Sequence, residues 1–135
     1  MFDIGYNHGD IVSHDELCKK AKCGCMGGIR YSKENNVLLL FMKKDSPYSN
    51  SWNGDVLEFM GSGKGDQNLN SGWNKRLTDS EENETAICVF EWLDSMKLKY
   101  VGRMTLAQKP TIKKFENKFG NKEDKVIFYL KRANN

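Results

Sequence analysis

Tyr48 to Leu77 reads Y-S-N-S-W-N-G-D-V-L-E-F-M-G-S-G-K-G-D-Q-N-L-N-S-G-W-N-K-R-L, and the rest of the chain is read around it. Tyr48 and Trp52 sit on a polar turn, followed by a short apolar strand from Val56 to Met60. That strand runs into Gly61-Ser62-Gly63-Lys64-Gly65, and Asp66-Gln67 then looks like a helix start. Glycines tolerate positive φ and let a ligand or a second backbone approach closely. A strand feeding a glycine-rich turn, with aromatics beside it and a lysine in it, predicts a ligand-facing corner. It leaves the ligand open.

Outward from this corner the chain is mostly strand. Val37 to Met42 and Thr85 to Trp92 are apolar on both faces, as central strands are. Met96 to Leu106 and Val126 to Leu130 are expected strands, with Pro110 and a lysine-rich segment interrupting the chain between them. Ser13-His14-Asp15-Glu16 has the S-x-x-E form of a capping box, so a helix is expected from there to about Gly24. Residues before it read as a loop or short edge strand. Asp66 is expected to cap a second short helix that Gly72 interrupts, and Asp79 to Glu84 to form an acidic loop. The expected class is mainly β, a strongly curved sheet or open barrel with two short helices.

At 135 residues the chain is long enough for one domain, spanning 1–135, with its own core. The longest apolar run, Val37 to Met42, is too short to span a bilayer, so no membrane partner is expected. The first residues carry Asp3, His8 and Asp10 where a signal peptide would be apolar, which leads to a cytosolic expectation. The net charge of +3 permits nucleic acid without requiring it. Lysines crowd the last third, from Lys109 to Lys131, and such a run is equally well a solvated face.

Little in the chain supports catalysis. The only 2 histidines, His8 and His14, have no H-E-x-x-H spacing, and neither a G-x-S-x-G elbow nor a Walker loop is present. Cys23-Gly24-Cys25 is too tight for a zinc knuckle, and Cys88 lies in the apolar run Ala86 to Phe90. No metal, disulfide or cofactor is expected. Binding is the better reading, and the aromatics carry it. Trp52 and Trp73 are expected in the core. Tyr48 follows Pro47 on a polar turn with no apolar stripe to join, so its ring could face Phe59 and clamp a flat ligand. Aromatic stacking is how proteins hold an extruded base.

An ordered set of motifs resembles the SRA (SET- and RING-associated, or YDG) domain, in particular the SRA-like domains of McrA-type, modification-dependent HNH restriction endonucleases. Gly28-Ile29-Arg30 resembles a shortened G-I-x-x-R, and Val37 to Phe41 the apolar strand after it. Tyr48-Ser49-Asn50 stands where the family has an aromatic followed by acidic residues. Phe59-Met60-Gly61-Ser62-Gly63 is similar to Y-T-G-S-G, Asp66-Gln67 to D-Q, and Asn74-Lys75-Arg76-Leu77 to N-x-x-L. Tyr100-Val101-Gly102 stands for Y-D-G and Val126 to Arg132 for the closing strand, so the resemblance runs from about Asp10 to Arg132.

The resemblance implies a PUA-like barrel that flips a modified cytosine, of the 5-methyl or 5-hydroxymethyl type, out of double-stranded DNA. It implies a base pocket of Tyr48, Ser49, Asn50, Phe59, Met60, Gly61 and Ser62, with Tyr48 and Phe59 as the stacking rings and Ser62 near the 5-substituent. The family's aspartate that accepts from the cytosine amino group falls here on Ser49 or Asn50. An asparagine can accept from N4 and donate to N3, and it equally suits another base or a bulkier modification. Arg30, Lys64, Lys75, Arg76, Arg103, Lys113 and Lys114 would hold phosphates. The chain shows no HNH motif, so either a nuclease is another domain of the same parent chain or the domain is a free-standing reader. Competing expectations are a PUA-, EVE- or ASCH-like module for RNA or a small ligand, and a plain interaction module.

Overall fold

The computed structural model describes residues 1–24, 26–43, 50–63, 65–70 and 72–133. The chain forms β1 (Ile11–Ser13), α1 (His14–Ala21), β2 (Ile29–Ser32), β3 (Val37–Met42), β4 (Asn50–Asn53) and β5 (Val56–Met60). These are followed by α2 (Gly72–Thr78), β6 (Ala86–Trp92), β7 (Lys97–Glu116) and β8 (Lys122–Arg132). The strands build one eight-stranded open sheet in the order β2-β3-β6-β7-β8-β5-β4, with β1 added to β7. Among the described residues only β3 and β6 run parallel; the other pairs are antiparallel. The fold is therefore mainly β with two short helices. Among the described residues no helix is long and apolar enough to cross a membrane.

β3 shows why this sequence makes this sheet. Its residues alternate between two cores: Leu38, Leu40 and Met42 join Leu57, Phe59, Phe128 and Leu130 on one face. Val37, Leu39 and Phe41 join Leu17, Ala21, Cys88 and Phe90 on the other. A strand covered on both faces needs an unbroken apolar run, and Val37 to Met42 is one. The second face is closed by α1, whose buried Leu17, Cys18 and Ala21 lie on one side of the helix. Ser13 caps α1 by accepting from Glu16 N–H, as the capping box predicts, and the helix stops at a left-handed Lys22, just short of Gly24.

Two expectations are corrected. Pro110 does not end a strand: β7 runs through it, and the register with β8 shifts between Leu106 and Gln108 and again between Gln108 and Thr111. Proline has no N–H for a ladder, and an irregularity is where a strand can hold one. β8 likewise starts at Lys122, four residues before the apolar run, because polar pairs such as Lys114 opposite Asp124 extend the hairpin. The second correction concerns Asp66, which caps no helix. Its carboxylate accepts from Asp124 N–H at 2.7 Å, tying the glycine turn to β8, and α2 begins only at Gly72.

Candidate functional site

The turn after β5 is held by two buried amide side chains. Gly61 N–H donates to Val126 O at 2.8 Å. Gln67 Nε2 donates to Gly61 O at 2.9 Å and to Gly63 O at 3.1 Å, while its Oε1 accepts from Val126 N–H at 3.0 Å. Asn74, from α2, clamps Ser62 from both sides: Oδ1 accepts from its N–H at 2.8 Å and Nδ2 donates to its carbonyl at 2.9 Å. A Cβ on Gly61 would lie 2.6 Å from Asn74 Oδ1 and 3.2 Å from Gln67 Oε1, so close approach explains this glycine. The motif residues Gln67 and Asn74 thus shape the turn from behind. The backbone of Gly61 and Ser62 is largely spent on them.

In front of the turn lies a cavity of about 590 Å³. Asn50, Phe59, Met60, Gly61 and Ser62, five of the seven expected base-pocket residues, line it. Tyr48 and Ser49, the other two, lie outside the described residues, as does Lys64. Asn50 and Phe59 face each other across β4 and β5, and Asn50 Oδ1 accepts from Met60 N–H at 3.1 Å. Phe59 is only 2% exposed, a core residue that forms cavity wall. Trp52 and Trp73, expected in the core, are instead 43% and 42% exposed. Trp52 lies on β4, a terminal strand of the sheet, and Trp73 is the second residue of α2, whose buried residues are Asn74 and Leu77.

The same cavity is lined by Phe41, Lys43 and Trp92, which the sequence reading did not assign to the pocket, and by Arg30, which it assigned to phosphates. Arg30 is only 5% exposed. Its Nε donates to Gly27 O at 3.0 Å, its Nη1 to His14 Nε2 at 2.8 Å and to Gly24 O at 3.3 Å, and the guanidinium lies 4.0 Å from the Phe41 ring centre. A guanidinium committed in this way forms part of the cavity wall. Period-two alternation from Cys88 through Phe90 to Trp92 was the available signal for Trp92. It puts a tryptophan at the strand end on the face shared with Phe41.

His14 accepts from Arg30 and sits 4.9 Å from the Trp92 ring. Burial first, then the Arg30 charge, holds its pKa below the ordinary histidine value. A depressed histidine pKa means that the unfolded chain binds the proton more readily. The stabilisation is complete above pH ~6.5 and is lost as pH falls through the folded value. We expect the melting temperature to fall from pH 7.5 to pH 5, and His14→Gln, which retains an acceptor, to remove part of that dependence.

The remaining basic residues are scattered. Lys75 pairs with Asp79 at 2.9 Å, Lys113 with Glu58 at 3.5 Å and Lys114 with Asp124 at 3.0 Å. Pairs between such exposed groups are worth ~0–1 kcal/mol, so a phosphate can displace them. Arg76 stacks 4.0 Å from the Tyr31 ring centre. Arg103 lines a separate cavity of about 720 Å³ with His8 and Arg132. Among the described residues no group of three metal-ligating side chains converges. Burial raises the Cys88 thiol to about 11.

Comparison with known proteins agrees with this arrangement. No curated protein sequence matches the chain. Among solved structures, the sulfur-binding and SRA domains of ScoMcrA complexed with phosphorothioated DNA match with a TM-score of 0.74 at 14% identity, over 96% of this chain and 40% of that one. The chain thus spans well under half of that protein. The SUVH5 SRA complex with hemi-methylated CG DNA matches with a TM-score of 0.69 at 21% identity, over 97% of this chain and 91% of that one. SUVH5 SRA bound to fully hydroxymethylated CG DNA matches with a TM-score of 0.68 at 20% identity, with the same coverage. At these identities the likeness is one of fold. The ScoMcrA-like SRA domain family matches residues 14–133, and with that span covering the sheet, the clamped glycine turn and the cavity in front of it, the chain belongs to the ScoMcrA-like SRA domain family.

Proposed function

We propose that this domain reads modified double-stranded DNA by flipping a modified cytosine, of the 5-methyl or 5-hydroxymethyl type, into the cavity before the Gly61-Ser62 turn. The observation that carries the reading is the cavity itself, walled by Asn50, Phe59, Met60, Gly61 and Ser62 in a chain of this family. Extruding a base costs a few kcal/mol. Stacking returns ~1–3 kcal/mol per base, and edge hydrogen bonds supply the rest. Tyr48, two positions before Asn50 in the chain, is assigned the stacking face opposite the Phe59 wall. Ser62 lies at the 5-substituent, and Asn50 at the base edge. Lys64, Lys75, Arg76, Lys113 and Lys114 hold phosphates, which makes the affinity fall steeply with salt. Arg103 is assigned to the same set, and Arg30, 5% exposed and bonded to His14, Gly24 and Gly27, is assigned to the cavity wall. The domain acts as the specificity module of a modification-dependent endonuclease whose nuclease is a separate domain.

The test is a fluorescence-anisotropy titration at one fixed salt concentration. A single duplex would carry cytosine, 5-methylcytosine, 5-hydroxymethylcytosine or its glucosylated form at one site. One modified duplex should bind at least ~10-fold tighter than the unmodified one, and Tyr48→Ala should abolish that preference, since stacking on one ring is worth ~1–3 kcal/mol. Equal affinity for every duplex would sink the reading. Preferential capture of single-stranded RNA would replace it with the RNA-binding alternative.

A further inference from the structure

Arg103 faces Cys88 across β6 and β7, so its side chain leaves the sheet on the face that Cys88 shares with Ile4 and Phe90. There the N-terminal segment from Met1 to His8, with Cys88, Tyr100 to Arg103 and Arg132, lines the cavity of about 720 Å³. The Arg103 Nε is buried and has no hydrogen-bond partner among the described residues. Neither Arg103 nor Arg132 forms an ion pair among those residues. Asp3, the one carboxylate on the lining, accepts from Gly5 N–H at 2.8 Å. We propose that this cavity binds a phosphate ester, with Arg103 and Arg132 as its guanidinium ligands and His8 as the residue that positions Arg132. A backbone phosphate of DNA and a free nucleotide carry this same group; in the first case the site rests on the DNA-binding reading above.

A buried guanidinium N–H without an acceptor is costly, and arginine cannot shed its proton to escape the cost. An oxyanion supplies both the missing acceptor and the counter-charge. The second guanidinium is brought in by the strand pairing: Ala133 N–H donates to Arg103 O at 3.0 Å, which sets Arg132 beside Arg103 at the end of β8. His8 then orients it. A carbonyl only accepts, so His8 Nδ1 donates to Val101 O at 2.7 Å. In the neutral ring this leaves Nε2 to accept from Arg132 Nη2 at 3.3 Å, whereas Nδ1, 3.1 Å from the same nitrogen, has no lone pair to offer. Two guanidinium forks suit a group with three outer oxygens, while one fork already fills a carboxylate. The volume exceeds what a bare phosphate needs and leaves room for the sugar that carries it.

Two measurements on wild type, Arg103→Gln and Arg132→Gln test the site. The first is the melting temperature with deoxyadenosine monophosphate or with deoxyadenosine, which lacks the phosphate, at equal ionic strength. The second is the slope of log affinity against log salt on one duplex. A nucleotide site predicts that the monophosphate, and not the nucleoside, raises the wild-type melting temperature by at least ~2 °C, and that either substitution removes the rise. A DNA-backbone site predicts that each substitution reduces the steepness of the salt slope by ~1. The affinity ratio between modified and unmodified duplexes should then stay as in wild type, because phosphate contacts position the protein without reading the base. Variants that match wild type in both measurements overturn the proposal, and so does an equal rise with the nucleoside. A wild type that binds every duplex alike removes the base-flipping reading and leaves this site to the same two measurements. Arg132 is exposed at the end of β8, so Arg132→Gln decides the matter even if Arg103→Gln does not fold.

Discussion

Gly61→Ala is expected to destabilise the domain by ~2–4 kcal/mol, the combined scale of overpacking and of breaking buried hydrogen bonds. The reason is space. Gly61 does not adopt a left-handed backbone, but its missing Cβ leaves room for Asn74 Oδ1, which would otherwise be 2.6 Å away. Asn74 would have to withdraw and break both bonds to Ser62. Urea unfolding measures the cost directly. Because Gly61 and Ser62 wall the cavity, affinity for the preferred modified duplex should fall as well. A variant as stable as wild type would show that the turn can shift without loss, contrary to the clamp described above.

Asn74→Ala is expected to cost a similar ~2–4 kcal/mol, since it strips partners from the N–H and carbonyl of Ser62. Asn74 also donates to Asn68 O at 3.3 Å, so the loop before α2 loosens with it. The two substitutions are coupled in a way that tests the mechanism. Once Asn74 is truncated, the main obstacle to a Cβ at position 61 is gone. Adding Gly61→Ala to Asn74→Ala should therefore cost well under the single Gly61→Ala change, with an interaction energy of ~1–3 kcal/mol in a double-mutant cycle. Simple additivity would mean that Gly61 matters for a reason other than room for Asn74.

The clamp also shows what kind of information sequence carries. The glycine turn, Asp66-Gln67 and Asn74 could all be picked out along the chain, and their order supported the family. Their roles were not legible. Asp66 before an apparent helix start resembles a cap, yet it bonds Asp124, 58 positions away. Gln67 likewise reaches Val126, 59 positions on. A local pattern identifies a capping box such as Ser13 to Glu16 because donor and acceptor lie within one turn. It cannot distinguish a cap from a residue whose partner arrives on a strand formed much later in the chain. The same holds for Arg30: an arginine in a family motif suggested phosphate contact, and only the approach of α1 and β3 shows its guanidinium spent on His14, Gly24, Gly27 and the Phe41 ring.

The sequence by itself determined the mainly β class and the apolar strands, because unbroken apolar runs report burial on both faces, while β4, with no apolar run, was read as a polar turn. It also determined α1, through its capping box, and the neighbourhood of the site, through the glycine-rich turn and the ordered motifs. Only the tertiary structure decided that β7 continues past Pro110, since an irregular register relieves the missing N–H. Only it placed Trp92 and Phe41 beside Asn50 and Ser62, because they come from strands that meet solely through the sheet order. And only it turned the Asn50 carbonyl onto Met60 N–H. Which backbone group a polar side chain bonds depends on the strand brought up beside it, and that is a property of the folded neighbourhood.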